Sequence, residues 1–169
     1  MDEKPLILVA IGANLPSRFG PPRAACDAAL AALEEHGVRV LRRSRWWESA
    51  PVPVSDQPWY VNGVAAVETA LPPEGLLAVL HAVEEAMGRV RTVRNAPRVI
   101  DLDLLAYGDV VLAGTVEVPH PRLAERAFVV LPLAEVAPRW RHPVSGLTVP
   151  EMAAALPPGQ EIRPLAEPR

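Results

Sequence analysis

The chain has 169 residues, half of them hydrophobic and 22% charged, a balance that argues against intrinsic disorder and allows a real core. Its net charge of −3 offers no overall attraction to nucleic acid or to an anionic membrane. The single cysteine, Cys26, excludes an internal disulfide and a thiolate metal cluster, and the apolar run at residues 6–11 is too short for a signal peptide or a membrane span, so a cytoplasmic protein is expected.

Residues 6–13 form an apolar run closed by Gly12, Asn14 and Pro16, which predicts a first strand buried on both sides. Pro21 and Pro22 suit the entry of a helix, and residues 24–36, rich in Ala, Leu and Glu, predict one that stops at Gly37. Hydrophobic residues alternate with arginine over 38–47, a second strand, in which one of Trp46 and Trp47 belongs to the core and the other lies near the following loop. Prolines and serines punctuate residues 48–58, a loop long for a compact domain and of the kind that often carries function. A third strand spans 60–69, with Tyr60 and Asn62 two apart and therefore on one face. Pro72, Pro73 and Glu74 open a second helix that runs to about Met87 and ends at Gly88. A fourth strand covers 99–107, and Gly108-Asp109 turns the chain into a short hairpin over 110–118. Beyond it come a helix over 123–136, a short helix over 149–156 and an edge strand near Ile162. The order strand, helix, strand, strand, helix, strand predicts an α+β sandwich of the ferredoxin-like type, a mainly antiparallel sheet with helices on one side and appended C-terminal elements. No repeat or linker interrupts the chain, so residues 1–169 are expected to form a single domain.

Residues 88–107 carry the chemistry. Four arginines, Arg89, Arg91, Arg94 and Arg98, precede the strand that holds Asp101 and Asp103. Strand alternation puts the two aspartates on one face, with Ile100, Leu102 and Leu104 on the other. Aspartate is a poor strand residue and paired carboxylates repel, which makes sense if a hard divalent cation lies between them. Mg²⁺ is usually held by one or two carboxylates together with substrate phosphates, and guanidinium forks suit phosphate oxygens. An Asp-x-Asp pair alone reads as a solvated strand face, and an arginine cluster alone as a charged surface. In combination they read as machinery for a polyphosphate.

The run Asn95-Ala96-Pro97-Arg98-Val99-Ile100-Asp101-Leu102-Asp103-Leu104-Leu105 resembles the signature of the 6-hydroxymethyl-7,8-dihydropterin pyrophosphokinase family. The resemblance extends from Ile11-Gly12-Ala13-Asn14-Leu15 through Asp56-Gln57-Pro58 and Tyr60-Val61-Asn62 to Val118-Pro119-His120 and Phe128. It implies the ferredoxin-like fold and Mg²⁺-dependent transfer of pyrophosphate from ATP to the hydroxymethyl group of a reduced pterin, releasing AMP, in folate biosynthesis. It further implies that Asp101 and Asp103 hold two Mg²⁺ ions and that Arg89, Arg91, Arg94, Arg98, His120 and Arg126 bind ATP. Arg89 and Arg98 would join the aspartates in catalysis, and the pterin would meet Ser49, Ala50, Pro51, Val52, Tyr60, Asn62 and Phe128. Read alone, Tyr60 and Phe128 fit a core, His120 a surface loop, and Glu84 a helix-surface charge or a brace for the basic loop.

The chain departs from the family pattern at Ala50, where a second proline is usual, and at Asn95, where a tryptophan is common. Its basic loop is also one residue shorter. Residues 89–97 are expected to form a mobile loop that closes over nucleotide, because its arginines have no acid among them and little apolar surface anchors it. The partners expected are small molecules, ATP and a reduced pterin, with no nucleic acid, membrane or obligatory protein partner. Two rivals share features of the pattern. Another metal-dependent nucleotidyl or phosphoryl transferase would need the aspartates but not Tyr60 and Asn62. A non-catalytic RNA-binding module should carry adjacent strand aromatics and a net basic charge, whereas this chain has two Phe, two Tyr and −3.

Overall fold

The apolar run at the N-terminus becomes β1 (Ile7–Ala13), an inner strand paired antiparallel with β4 (Tyr60–Glu68) on one side and β5 (Asp101–Tyr107) on the other. The computed structural model describes residues 4–51, 55–88 and 99–166. Within them, α1 (Pro22–Glu35) follows β1, and β2 (Arg39–Arg43) and β3 (Trp47–Ser49) precede β4. Next come α2 (Pro73–Ala86), β5, the small hairpin β6 (Leu112–Ala113) and β7 (Glu117–Val118), and a 3₁₀ turn at Leu123–Glu125. The chain finishes with α3 (Ala127–Val136), α4 (Val149–Ala154) and β8 (Ile162–Pro164). The main sheet runs β5-β1-β4-β3-β8, with β2 also against β4. This is the expected α+β architecture, and both helices α1 and α2 begin with the prolines the sequence offered.

Two expectations are corrected. The single strand over 38–47 is two strands, because Trp46 turns inward between them. Its indole is fully buried and lies where a side chain on Gly63 would sit, 2.5 Å from that Cβ position. Ser44 repairs the gap: its N–H donates to the Val64 carbonyl at 2.8 Å, and its Oγ accepts from the Val64 N–H at 3.0 Å. The helices also cover both faces of the sheet, not one. Ile7, Val9, Ile11, Leu102 and Leu104 pack with residues of α1 and α2, while Leu8, Val64, Ala66, Leu105 and Ala106 pack with α3 and α4. Inner strands that are apolar on both faces require two layers to bury them.

A bulge in β5 decides which face each of its side chains takes. Leu8 lies opposite Ala106 and Val9 opposite Leu104, so Leu105 has no partner across the ladder. Leu105 and Ala106 consequently share a face, and Tyr107 packs with the α1/α2 core. The aspartates therefore keep the α3 face, clear of the Leu102 and Leu104 core. Among the described residues, no helix is long and apolar enough to cross a membrane.

Candidate active site

Strand register assembles the site. Asn62 of β4 and Asp101 of β5 both lie opposite Gly12 of β1, and Val64 and Asp103 both lie opposite Ala10. Small residues on the middle strand thus form the floor of a cleft of about 930 Å³. Its lining brings together Ser49, Ala50, Tyr60, Asn62, Asp101, Asp103, His120, Arg126 and Phe128. Pro51 is buried and does not line the cleft. Val52 and the arginines Arg89, Arg91, Arg94 and Arg98 lie outside the described residues, as does the expectation of a closing loop over 89–97.

β5 is an edge strand, and two of its outward polar groups are matched individually. The Leu102 N–H, between the two aspartates, donates to Glu84 Oε2 at 3.0 Å. Glu84 is 3% exposed, so it braces the aspartate strand from α2 and is no surface charge. On the same edge the Leu105 carbonyl accepts from the His120 N–H at 2.8 Å, which places His120 beside Asp103 at the cleft wall. His120 Nδ1 accepts from the Arg122 N–H at 3.1 Å, leaving the ring proton on Nε2. Burial lowers the His120 pKa, with Asp103 and Glu117 pulling it upward and Arg126 and Arg122 reinforcing the fall. A pKa below the ordinary value favours the neutral imidazole at neutral pH, with one N–H to donate.

Asn62 is held as firmly. Ser49 Oγ donates to Asn62 Oδ1 at 2.5 Å, and both residues are nearly fully buried. The carbonyl end of the amide is thereby committed, which fixes the direction of its NH₂ end. Tyr60 and Phe128 are half-buried and line the cleft, and Phe128 also packs against the core beneath α3. The Arg126 guanidinium lies 5.4 Å from the Phe128 ring centre, close enough for a cation–π contact. Asn14 closes the far end of β1 against the loop before β4, donating to Gln57 Oε1 at 3.2 Å and to the Pro58 carbonyl at 3.4 Å.

The donor set can be tested for a metal. Among the described residues no three His, Cys, Asp or Glu side chains converge, which does not suit a structural zinc site. Two half-buried carboxylates side by side in a polar cleft do suit a hard divalent cation whose remaining ligands come from phosphate and water.

Residues 8–138 match the family model described as 7,8-dihydro-6-hydroxymethylpterin-pyrophosphokinase. The chain belongs to this family. A 2-amino-4-hydroxy-6-hydroxymethyldihydropteridine pyrophosphokinase of Pseudomonas aeruginosa is 43% identical over 153 residues, covering 89% of this chain and 91% of that one. Its counterpart in Methylorubrum extorquens is 44% identical over 137 residues, covering 78% and 85%. A folic acid synthesis protein of Pneumocystis carinii is 37% identical over 85% of this chain, which spans 19% of that longer protein. The Plasmodium falciparum HPPK-DHPS structure with pteroate superimposes with a TM-score of 0.72 at 12% identity over 91% of this chain and 44% of that one, a likeness of fold. Membership makes this chain a pyrophosphate-transferring enzyme of folate biosynthesis.

The cleft also includes residues that no sequence motif marks. Arg122 and Glu125 line it, as do Pro157, Pro158, Gly159 and Gln160. Arg122 stands in the Pro119–Arg126 run, where a second cation near His120 was visible. Nothing local in the proline-rich tail marks Gln160 as part of a site.

Proposed function

We propose that the chain transfers pyrophosphate from ATP to the hydroxymethyl group of 6-hydroxymethyl-7,8-dihydropterin, using Mg²⁺ held by Asp101 and Asp103. One observation carries this reading: a buried, pre-oriented amide and a carboxylate pair flank the same small-residue floor. Asn62 would donate its NH₂ to an acceptor on the heterocycle, with Ser49 fixing the direction of the amide. Tyr60 and Phe128 would supply ring faces for stacking. Bound at Asp101 and Asp103, Mg²⁺ would neutralise polyphosphate charge and lower the pKa of the substrate hydroxyl.

His120, neutral with its proton on Nε2, would donate to a phosphate oxygen without adding charge. Arg126 would add a cation from the start of α3, and Arg89, Arg91, Arg94 and Arg98 would supply the rest, Arg89 and Arg98 against charge developing during transfer. In the transfer, the substrate hydroxyl oxygen bonds to the β-phosphorus and releases its proton to solvent, and the bond from that phosphorus to the α–β bridging oxygen breaks. AMP leaves with the bridging oxygen. The departure of Ala50 from the usual proline falls on the rim of the pterin subsite and leaves the Asn62 contact in place. ATP and a reduced pterin, a single domain over residues 1–169 and a cytoplasmic setting complete the proposal.

The test is the nucleotide product. Protein, Mg²⁺, ATP and the pterin should yield AMP in stoichiometric amount with the pyrophosphorylated pterin. ADP as the stoichiometric product would overturn the assignment even if the pterin became phosphorylated.

A further inference from the structure

The C-terminal strap, residues 157–164, touches both walls of the cleft, and one side chain ties it down. Arg126, at the N-cap of α3, offers no side-chain cap, and the first helical N–H belongs to the buried Ala127. An orphan donor there would be costly, since water does not reach it. Gln160 Oε1 accepts that N–H at 2.9 Å across 33 residues of chain. The same amide donates through Nε2 to the Glu125 carbonyl at 2.9 Å and to the Pro157 carbonyl at 3.2 Å. Both amide hydrogens are thus engaged within the protein. Gln160 holds structure in place and has no hydrogen left to offer a ligand.

The next residues of the strap seize the opposite wall. The Ala50 N–H donates to the Glu161 carbonyl at 3.0 Å, and Ile162 of β8 lies opposite Ser49 of β3. Arg163 pairs with Glu48, and its guanidinium stands 4.6 Å from the ring centre of Trp59, next to Tyr60. Pro157 and Pro158 restrict the backbone before Gly159, whose φ of +86° turns the chain at a position an L side chain would strain. The strap is fastened at both ends.

We infer that Gln160 is a positioning residue that latches this strap to the start of α3 and thereby sets the spacing between the Phe128 wall and the Ser49/Tyr60 wall of the pterin subsite. The inference rests on the reading of Tyr60, Asn62 and Phe128 as pterin contacts. Loss of the latch lets the start of α3, which carries Phe128, shift against β3 while its far end stays tied to Arg42 and Arg45, and a stacked ring then loses part of one face.

The experiment compares Gln160→Ala and Gln160→Glu with the wild type. Each is titrated calorimetrically with 6-hydroxymethylpterin and, separately, with Mg²⁺ and a non-hydrolysable ATP analogue. Gln160→Glu keeps an acceptor for the Ala127 N–H but lacks the two donors that fasten Glu125 and Pro157. Both variants should raise the Kd for the pterin about tenfold, the scale of one hydrogen bond left unmade. Nucleotide affinity should change less than about threefold, because Arg126 is one of several cations on the phosphates. Wild-type pterin affinity in Gln160→Glu would reduce Gln160 to a helix cap and overturn the latch. Should Gln160→Ala fail to fold, the Gln160→Glu titration decides alone. A wild type that binds no pterin sinks the site reading and this inference together, whereas wild-type binding with both variants unchanged sinks only the inference.

Discussion

Gly12→Ala adds one methyl group at the point where the two halves of the cleft meet. Its Cβ would stand 3.0 Å from Asn62 Nδ2 and 3.7 Å from the Val61 carbonyl oxygen, with no other outside atom of the described residues within 4 Å. Comfortable separation is roughly 3.5 Å, so the Asn62 amide must retreat by about half an ångström. The 2.5 Å bond from Ser49 Oγ to Asn62 Oδ1 opposes that retreat. Breaking the bond costs about 0.5–1.5 kcal/mol, and twisting the side chain off its rotamer costs about 0.5–1.5 kcal/mol. Pterin affinity should fall by about 1–3 kcal/mol, a factor of roughly 5 to 150. Nucleotide affinity should hold, since no atom of Asp101 lies within 4 Å of the new methyl. The fold should lose little, because the gain of about 0.5–1 kcal/mol for alanine over glycine in a strand offsets part of the local strain. Calorimetric titration with 6-hydroxymethylpterin and with an ATP analogue, alongside a thermal melt, measures all three. Pterin affinity within twofold of wild type would refute the reasoning, as would an equal loss for both ligands.

Asp101→Ala and Asp103→Ala should each lower turnover by orders of magnitude, and in Asp103→Ala the melting temperature should stay level or rise, because a repulsion goes along with a ligand; near-normal turnover at saturating Mg²⁺ would count against the metal pair. Gly63→Ala should destabilise the fold by about 1–3 kcal/mol through overpacking against the Trp46 indole, and an unchanged thermal midpoint would show that the indole moves aside freely.

Local periodicity made most of the fold legible. Apolar runs marked the inner strands, and proline pairs marked where α1 and α2 begin. The break between β2 and β3 was not legible, because it depends on Trp46 meeting Gly63, a contact that residue alternation along one strand does not encode. The second helical layer was readable in principle. A first strand buried on both sides is inconsistent with helices on one side only, and the structure settles that conflict in favour of the strand. The helix expected over 123–136 likewise divides at Arg126 into a 3₁₀ turn and α3, since the Ala127 N–H is capped by a residue far along the chain.

The aspartate pair was legible for the same reason the strands were: a period of two puts both carboxylates on one face whatever surrounds them. Its supports were less so, because they answer the needs of an edge strand. An edge leaves N–H and C=O groups without ladder partners. Here the Leu102 N–H is taken by Glu84 and the Leu105 carbonyl by the His120 backbone. Those bonds fix the strand on which the carboxylates sit, and one of them delivers His120 to the cleft. Edge position and function are coupled in this way: a strand open on one side leaves room beside its carboxylates, and the inner neighbour must then be small. Ala10 and Gly12 are the small residues, opposite Asp103 and Asp101 respectively. The Ile11-Gly12-Ala13-Asn14 run therefore has a physical content that its position on an apolar strand hides. Gly12 matters for the space it leaves, and the amide of Asn62 occupies it from the other side.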